Sequence, residues 1–178
     1  DLEKHNVLDY RQTMKMKKGI LEREFRIEDS KGRRTCIRSR RLVSMHNKHL
    51  ACLEWQFRAE NWSGKVFFLS GLDGNVINDN VERYRELESR HLQPLGTGET
   101  DDHQRKPIKA EAEKKQQGGA INQTFTVDIK EGEVYTVEKT VAFFTSRDVA
   151  ISEPVHQACK SVRRAGRFRE VLKDHIRA

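Results

Sequence analysis

ILEREFRIE, residues 20–28, alternates along almost its whole length. Leu21, Phe25 and Ile27 fall on one face with Arg23, while Glu22, Glu24 and Glu28 fall on the other. A period of two belongs to a strand, whose successive side chains point to opposite faces of a sheet. The helical template fits worse, because Leu21 and Phe25 would be followed by no further apolar turn. The stretch ends at Asp29-Ser30-Lys31-Gly32, with Asp first and Gly last as a β-turn prefers. Beyond it RRTCIRSRRLVSM, residues 33–45, places Ile37, Val43 and Met45 on one face. Two such runs around a short turn predict a β-hairpin.

Working outward, the same period returns. Ala51, Leu53, Trp55 and Phe57 share a face, opposite Glu54 and Gln56, and Asn61-Trp62-Ser63-Gly64 reads as a second turn. Val66 to Leu69 is apolar at every position, the pattern of a strand covered on both sides. Burying a large apolar side chain stabilises by about 1.5–3 kcal/mol, so Trp55, Phe57, Phe67 and Phe68 are the expected core anchors. Residues 97–120 hold almost no apolar side chain and read as a long mobile polar loop.

After that loop, Gln123, Phe125, Val127 and Ile129 alternate with Thr124, Thr126 and Asp128. Lys130-Glu131-Gly132-Glu133 reads as a hairpin turn, followed by Tyr135, Val137, Val141 and Phe143 in alternation. Many strands joined by short turns predict an all-β fold, a large antiparallel β-sandwich over residues 1–153. The period changes after Pro154. Val155, Cys159, Val162, Phe168, Val171, Leu172 and Ile176 recur at helical spacing, and Gly166 is placed to divide the stretch into two short helices.

The net charge of +7 and a pI near 9.4 raise nucleic acid as a partner. The basic residues are interleaved with glutamates, however, as in VERYRELESR, which is the pattern of a solvated face. A basic nucleic-acid module is therefore the weaker reading. No apolar run approaches the roughly 20 residues of a membrane-spanning helix, so no membrane partner is expected. Cys36, Cys52 and Cys159 form no close pair, which suits free thiols in a reducing, cytoplasmic setting.

Motifs of catalysis are missing. There is no glycine-rich phosphate loop. The loop GLDGNVINDN, residues 71–80, has the composition of a calcium site without its spacing: counted from Asp73, the fifth position is Ile77 and the twelfth Tyr84. His46 and His49, three apart on a strand, would point to opposite faces and make poor zinc geometry, so no metal and no cofactor are expected. Asp73, Asn75, Asn78, Asp79 and Asn80 have side chains that suit either hydroxyl recognition or turn formation. Trp62, in its turn, is the one aromatic residue suited to be a sugar platform if the chain is a free-standing carbohydrate-binding sandwich.

Four segments in order carry a resemblance: MKKGILEREFRIEDSKGRR (16–34), RLVSMHNKHLACLEWQF (41–57), WSGKVFFLSGLDGNVIN (62–78) and VEKTVAFFTSRD (137–148). Together they resemble the N-terminal domain of glycoside hydrolase family 65, which includes maltose, trehalose and kojibiose phosphorylases and acid trehalases. The resemblance implies a supersandwich followed by a helical linker, residues 154–178, leading toward an (α/α)6 catalytic barrel. It implies that the barrel, the chain's expected partner, carries the general acid and the phosphate site, so that no catalytic residue of the family falls within these residues. The implied parent reaction is glucosyl transfer from an α-linked disaccharide, with inorganic phosphate as co-substrate in a phosphorylase or water in a hydrolase. In that setting the Asp73–Asn80 stretch would touch the substrate lip or the barrel.

Overall fold

The computed structural model describes residues 5–73, 113–117, 120–145, 148 and 153–178. Its strands are β1 (Asn6–Lys15), β2 (Ile20–Glu28), β3 (Arg34–Val43), β4 (Leu50–Ala59), β5 (Gly64–Asp73), β6 (Glu113–Gln117), β7 (Ala120–Ile129) and β8 (Val134–Ala142). Two helices follow, α1 (Pro154–Arg164) and α2 (Phe168–Arg177). The all-β class, the antiparallel pairing and the helical C-terminus are as the sequence predicts. The chain divides into two compact units, one of Asp1–Ser63 with Ile129–Ala178 and one of Gly64–Asp128.

The first unit holds a five-stranded sheet in the order β1-β2-β3-β4-β8, antiparallel throughout. The predicted β2–β3 hairpin is present, with Glu28 opposite Arg34 and the Gly32 N–H donating to the Asp29 carbonyl. Gly32 sits at a φ of 73°, where a residue without Cβ is least strained. Register places Phe25, Ile37, Phe57 and Tyr135 in one row on the apolar face. Phe25, Ile37 and Phe57 are buried there. The opposite face carries Glu22, Arg40, Glu54 and Glu138 in a row, with Ile20, Leu42, Cys52 and Thr140 in the neighbouring rows toward one end.

β1 was not foreseen. It is an edge strand whose side chains are almost all exposed, and it shifts register at Leu8 between Val7 and Asp9. Nothing on it needs a core, so its apolar pattern is weak.

The second unit holds a three-stranded sheet in the order β5-β7-β6. β6 and β7 are antiparallel, from Glu113 opposite Thr124 to Gln117 opposite Ala120. The Phe68 and Phe125 rings stack at 5.4 Å between centroids.

Five expectations need correction. β6 occupies part of the stretch read as a polar loop; EKKQQ pairs through its backbone and offers no apolar period to detect. The turn at Lys130–Glu133 does not close a hairpin, because β7 belongs to the three-stranded sheet and β8 to the five-stranded one. Its Gly132 N–H donates instead to the Ala59 carbonyl at 2.8 Å. Val43 and Met45 share a parity with Ile37 but are exposed, because both lie at the loop end of β3. Of the four expected anchors Phe57 and Phe68 are buried, whereas Trp55 is 39% and Phe67 72% exposed. β5 is an edge strand with Phe68 turned in and Phe67 and Leu69 turned out, so it is not covered on both faces.

Candidate functional site

The helix pair shapes the most structured polar region of the first unit. Pro154 opens α1 at a position where its missing N–H is not needed. Gly166, at a φ of 70°, breaks the helical run, and a Cβ there would overlap the Glu170 carboxylate. That carboxylate accepts the Arg167 N–H at 2.7 Å and caps the start of α2. Phe168 then drops into a cluster with Leu42, Cys52 and Val171 and is only 1% exposed.

Charged side chains surround this cluster. Arg40 lies over the Phe168 ring at 4.9 Å and donates to the buried Glu54 at 2.6 Å. Glu138 accepts from the Phe168 N–H at 3.2 Å and from Arg167 Nε at 3.0 Å. Burial raises the Cys52 thiol above its ordinary pKa, with a Thr140 hydrogen bond working against it and the Glu138 charge adding to it. Burial likewise raises Cys36. Neither is therefore a ready thiolate nucleophile.

His175 fastens α2 down. Its Nδ1 accepts the Met45 N–H at 2.9 Å, which makes Nε2 the protonated nitrogen, and Nε2 donates to the Lys18 carbonyl at 2.8 Å. Gly19 lies beneath the ring at a φ of 56°, and a Cβ there would sit 2.8 Å from Nε2. One buried imidazole thus ties α2 to the β1–β2 connection and to the β3–β4 loop.

Beside this clamp is a cavity of about 310 Å³. Its loop wall is Ser44, His46, Asn47 and Leu50; its helix wall is Ser161 and Arg164 of α1, Ala165, and Val171 and Asp174 of α2. The loop is braced internally. Ser44 Oγ accepts the Asn47 N–H at 3.0 Å, and Asn47 Oδ1 accepts the His49 N–H at 3.1 Å. His46 and His49 both precede β4 and diverge, since His49 stacks on Phe144 at 4.0 Å while His46 faces the cavity. Among the described residues no group of three or more His, Cys, Asp or Glu could hold a metal ion.

The residues singled out from sequence lie elsewhere. Asp73 ends β5 and is exposed, whereas Asn75, Asn78, Asp79 and Asn80 lie outside the described residues. Trp62 Nε1 donates to the Arg34 carbonyl at 3.0 Å and to Thr35 Oγ1 at 3.1 Å, and the Arg33 guanidinium lies 4.9 Å over its ring. Arg33 is itself held by Asp29, whose pKa falls to about 2, chiefly through the Arg33 side-chain hydrogen bond. Trp62 is thus engaged in fastening the turn end of the sheet. Sequence reading missed the cavity residues because they come from three separate segments and share no local motif.

Fold and site together define an antiparallel β-domain whose C-terminal helix pair is locked across one end of its larger sheet. A family model described as the glycosyl hydrolase family 65 N-terminal domain matches residues 1–178, and the chain belongs to that family. It is 31% identical over 196 aligned residues to an uncharacterised glycosyl hydrolase of Mycobacterium tuberculosis, covering 97% of this chain and 15% of that protein. It is 36% identical over 80 residues to an alpha,alpha-trehalose phosphorylase of Thermoanaerobacter brockii, covering 45% of this chain and 10% of the relative. A solved structure assigned as a kojibiose phosphorylase from the human microbiome superposes with a TM-score of 0.77 at 12% identity, over 99% of this chain and 25% of that one. That likeness shows the fold. The chain spans 10–15% of the length of the curated relatives it matches.

Proposed function

We propose that the chain is the non-catalytic N-terminal domain of a phosphorylase or hydrolase acting on α-linked glucose disaccharides. It supports a catalytic barrel supplied by the rest of the polypeptide, with α1 and α2 as the linker toward it. The observation that carries this reading is the family match over the whole chain, joined to the small share of each relative that the chain represents. The trehalose and kojibiose phosphorylases among those relatives supply the substrate class. In a phosphorylase, inorganic phosphate would be the co-substrate, and the three free cysteines suit a reducing cytoplasm. In the domain division, residues 1–153 form the β part and 154–178 the helical one.

The placement of carboxylates supports a structural role. A glycosidase needs two carboxyl groups facing one bond across roughly 5–9.5 Å. Glu54 and Glu138 are register neighbours, yet Glu54 is held by Arg40, and Glu138 by Arg167 and by the Phe168 N–H at the start of α2. Glu22 pairs with Lys15 and Glu60 with Arg26.

The test is release of glucose from kojibiose, trehalose and maltose, with and without phosphate, by residues 1–178 and by the longer polypeptide that carries them. Turnover by the longer chain alone is expected. Turnover by residues 1–178 would overturn the division of labour.

A further inference from the structure

We propose that the cavity between the β3–β4 loop and the helix pair is a binding site for a neutral monosaccharide. Its volume of about 310 Å³ stands at the small end of ligand pockets. Arg164 and Asp174, both at the surface, bring one positive and one negative charge to the lining. Their charges cancel, which disfavours a free anion and suits a ligand that both donates and accepts. A guanidinium and a carboxylate can each engage two neighbouring hydroxyls of a sugar ring, the first as donor and the second as acceptor. Ser161 and His46 add further polar groups. None of these four side chains makes a hydrogen bond or ion pair among the described residues, so all are available to a ligand.

The rest of the lining is Ser44 and Asn47, whose side chains bond within the loop, and three aliphatic residues. Leu50, Ala165 and Val171 offer a surface for the C–H face of a pyranose. The walls are preorganised, since the Ser44 and Asn47 side chains brace the loop and His175 pins α2 to Met45. Binding then orders little that is not already ordered. The site shares no lining residue with the turn at Trp62.

The choice of a sugar as ligand rests on the proposed function, and D-glucose, the unit common to the proposed substrates, is the probe. The experiment is an NMR titration of residues 1–178 with D-glucose, with inorganic phosphate and with glycine as a zwitterionic control. Saturable shifts at Ser161, Arg164 and Asp174 with glucose only are expected. Arg164→Ala and Asp174→Asn, both at exposed positions, should each weaken binding by roughly tenfold with unchanged melting temperatures. The proposal is overturned by absence of saturation with glucose, by unchanged affinity in both variants, or by phosphate or glycine taking the site instead. Loss of glucose binding in a chain whose longer polypeptide still cleaves disaccharides removes this site alone. Glucose binding beside an inactive longer polypeptide removes the functional reading alone.

Discussion

The charged face of the five-stranded sheet has two ends built from the same strands with the same parity, and they behave differently. At one end Ile20, Leu42, Leu50 and Cys52 are 3–5% exposed beneath or beside the helix pair. Toward the other, Arg26, Arg34, Arg38 and Arg58 are 43–52% exposed and pair with Glu22, Glu28 and Glu60. Alternation decides which side of the sheet a residue faces. It does not decide whether that side is wet, which depends on an element placed more than 100 residues later. Where the helices lie, the polar face becomes a second small core, and Glu54 is buried with Arg40 as its required partner.

The largest test of this contrast is Phe168→Ala. It empties the middle of the covered end and should destabilise by about 3–5 kcal/mol in urea denaturation. Val155→Ala, on an α1 side chain that is 78% exposed, should stay within about 0.5 kcal/mol. Equal effects from the two would mean that the helices do not hold the covered end at all.

Next is His175→Ala, which removes one acceptor and one donor from the clamp. A loss of about 2 kcal/mol is expected, together with faster hydrogen exchange at the Met45 amide. An unchanged Met45 exchange rate would show that the clamp is not formed in solution.

The smallest effect belongs to the open end. Arg26 lowers the Glu60 pKa below 4.5 by hydrogen bond and then by charge. Burial alone would raise Glu22, but the Lys15 hydrogen bond, the Lys15 charge and Arg38 outweigh it, so it too is lowered. Carboxylates with depressed folded-state values stabilise above their ordinary pKa, and the contribution is lost as pH falls through the lower value. Each such pair is screened by solvent, so its contribution is small. Stability should therefore fall below pH ~4.5, with a shallower slope in Glu60→Gln. An identical pH profile in that variant would remove Glu60 from the account.

Much of the fold was legible because period two is a local signal. β2, β3, β4, β7 and β8 each show it, and Pro154 with Gly166 marks both helices. β1 was hidden because a strand that pairs through its backbone with little burial writes no apolar period into the sequence, and EKKQQ of β6 has no apolar residue to carry one. The destination of β8 was equally invisible, since a four-residue turn fits a hairpin or a change of sheet alike and only the pairing of β8 with β4 distinguishes them. Trp55 and Phe67 misled because size and hydrophobicity say nothing of how far a row lies from cover. The cavity residues were illegible because Ser44, Arg164 and Asp174 meet only after α1 and α2 have docked.

The contact between His175 and Lys18 also imposes a schedule on synthesis. A ribosome releases the first four strands early, and they can pair in the order they emerge. The free side of β4 must then wait for its β8 neighbour, Leu50 meeting Ala142 across the sheet, while the intervening chain is still being made. The fastening of residue 18 can be completed only when residue 175 has cleared the exit tunnel. The nascent domain should therefore spend much of its translation with an unprotected strand border, at the stage when chaperones matter most.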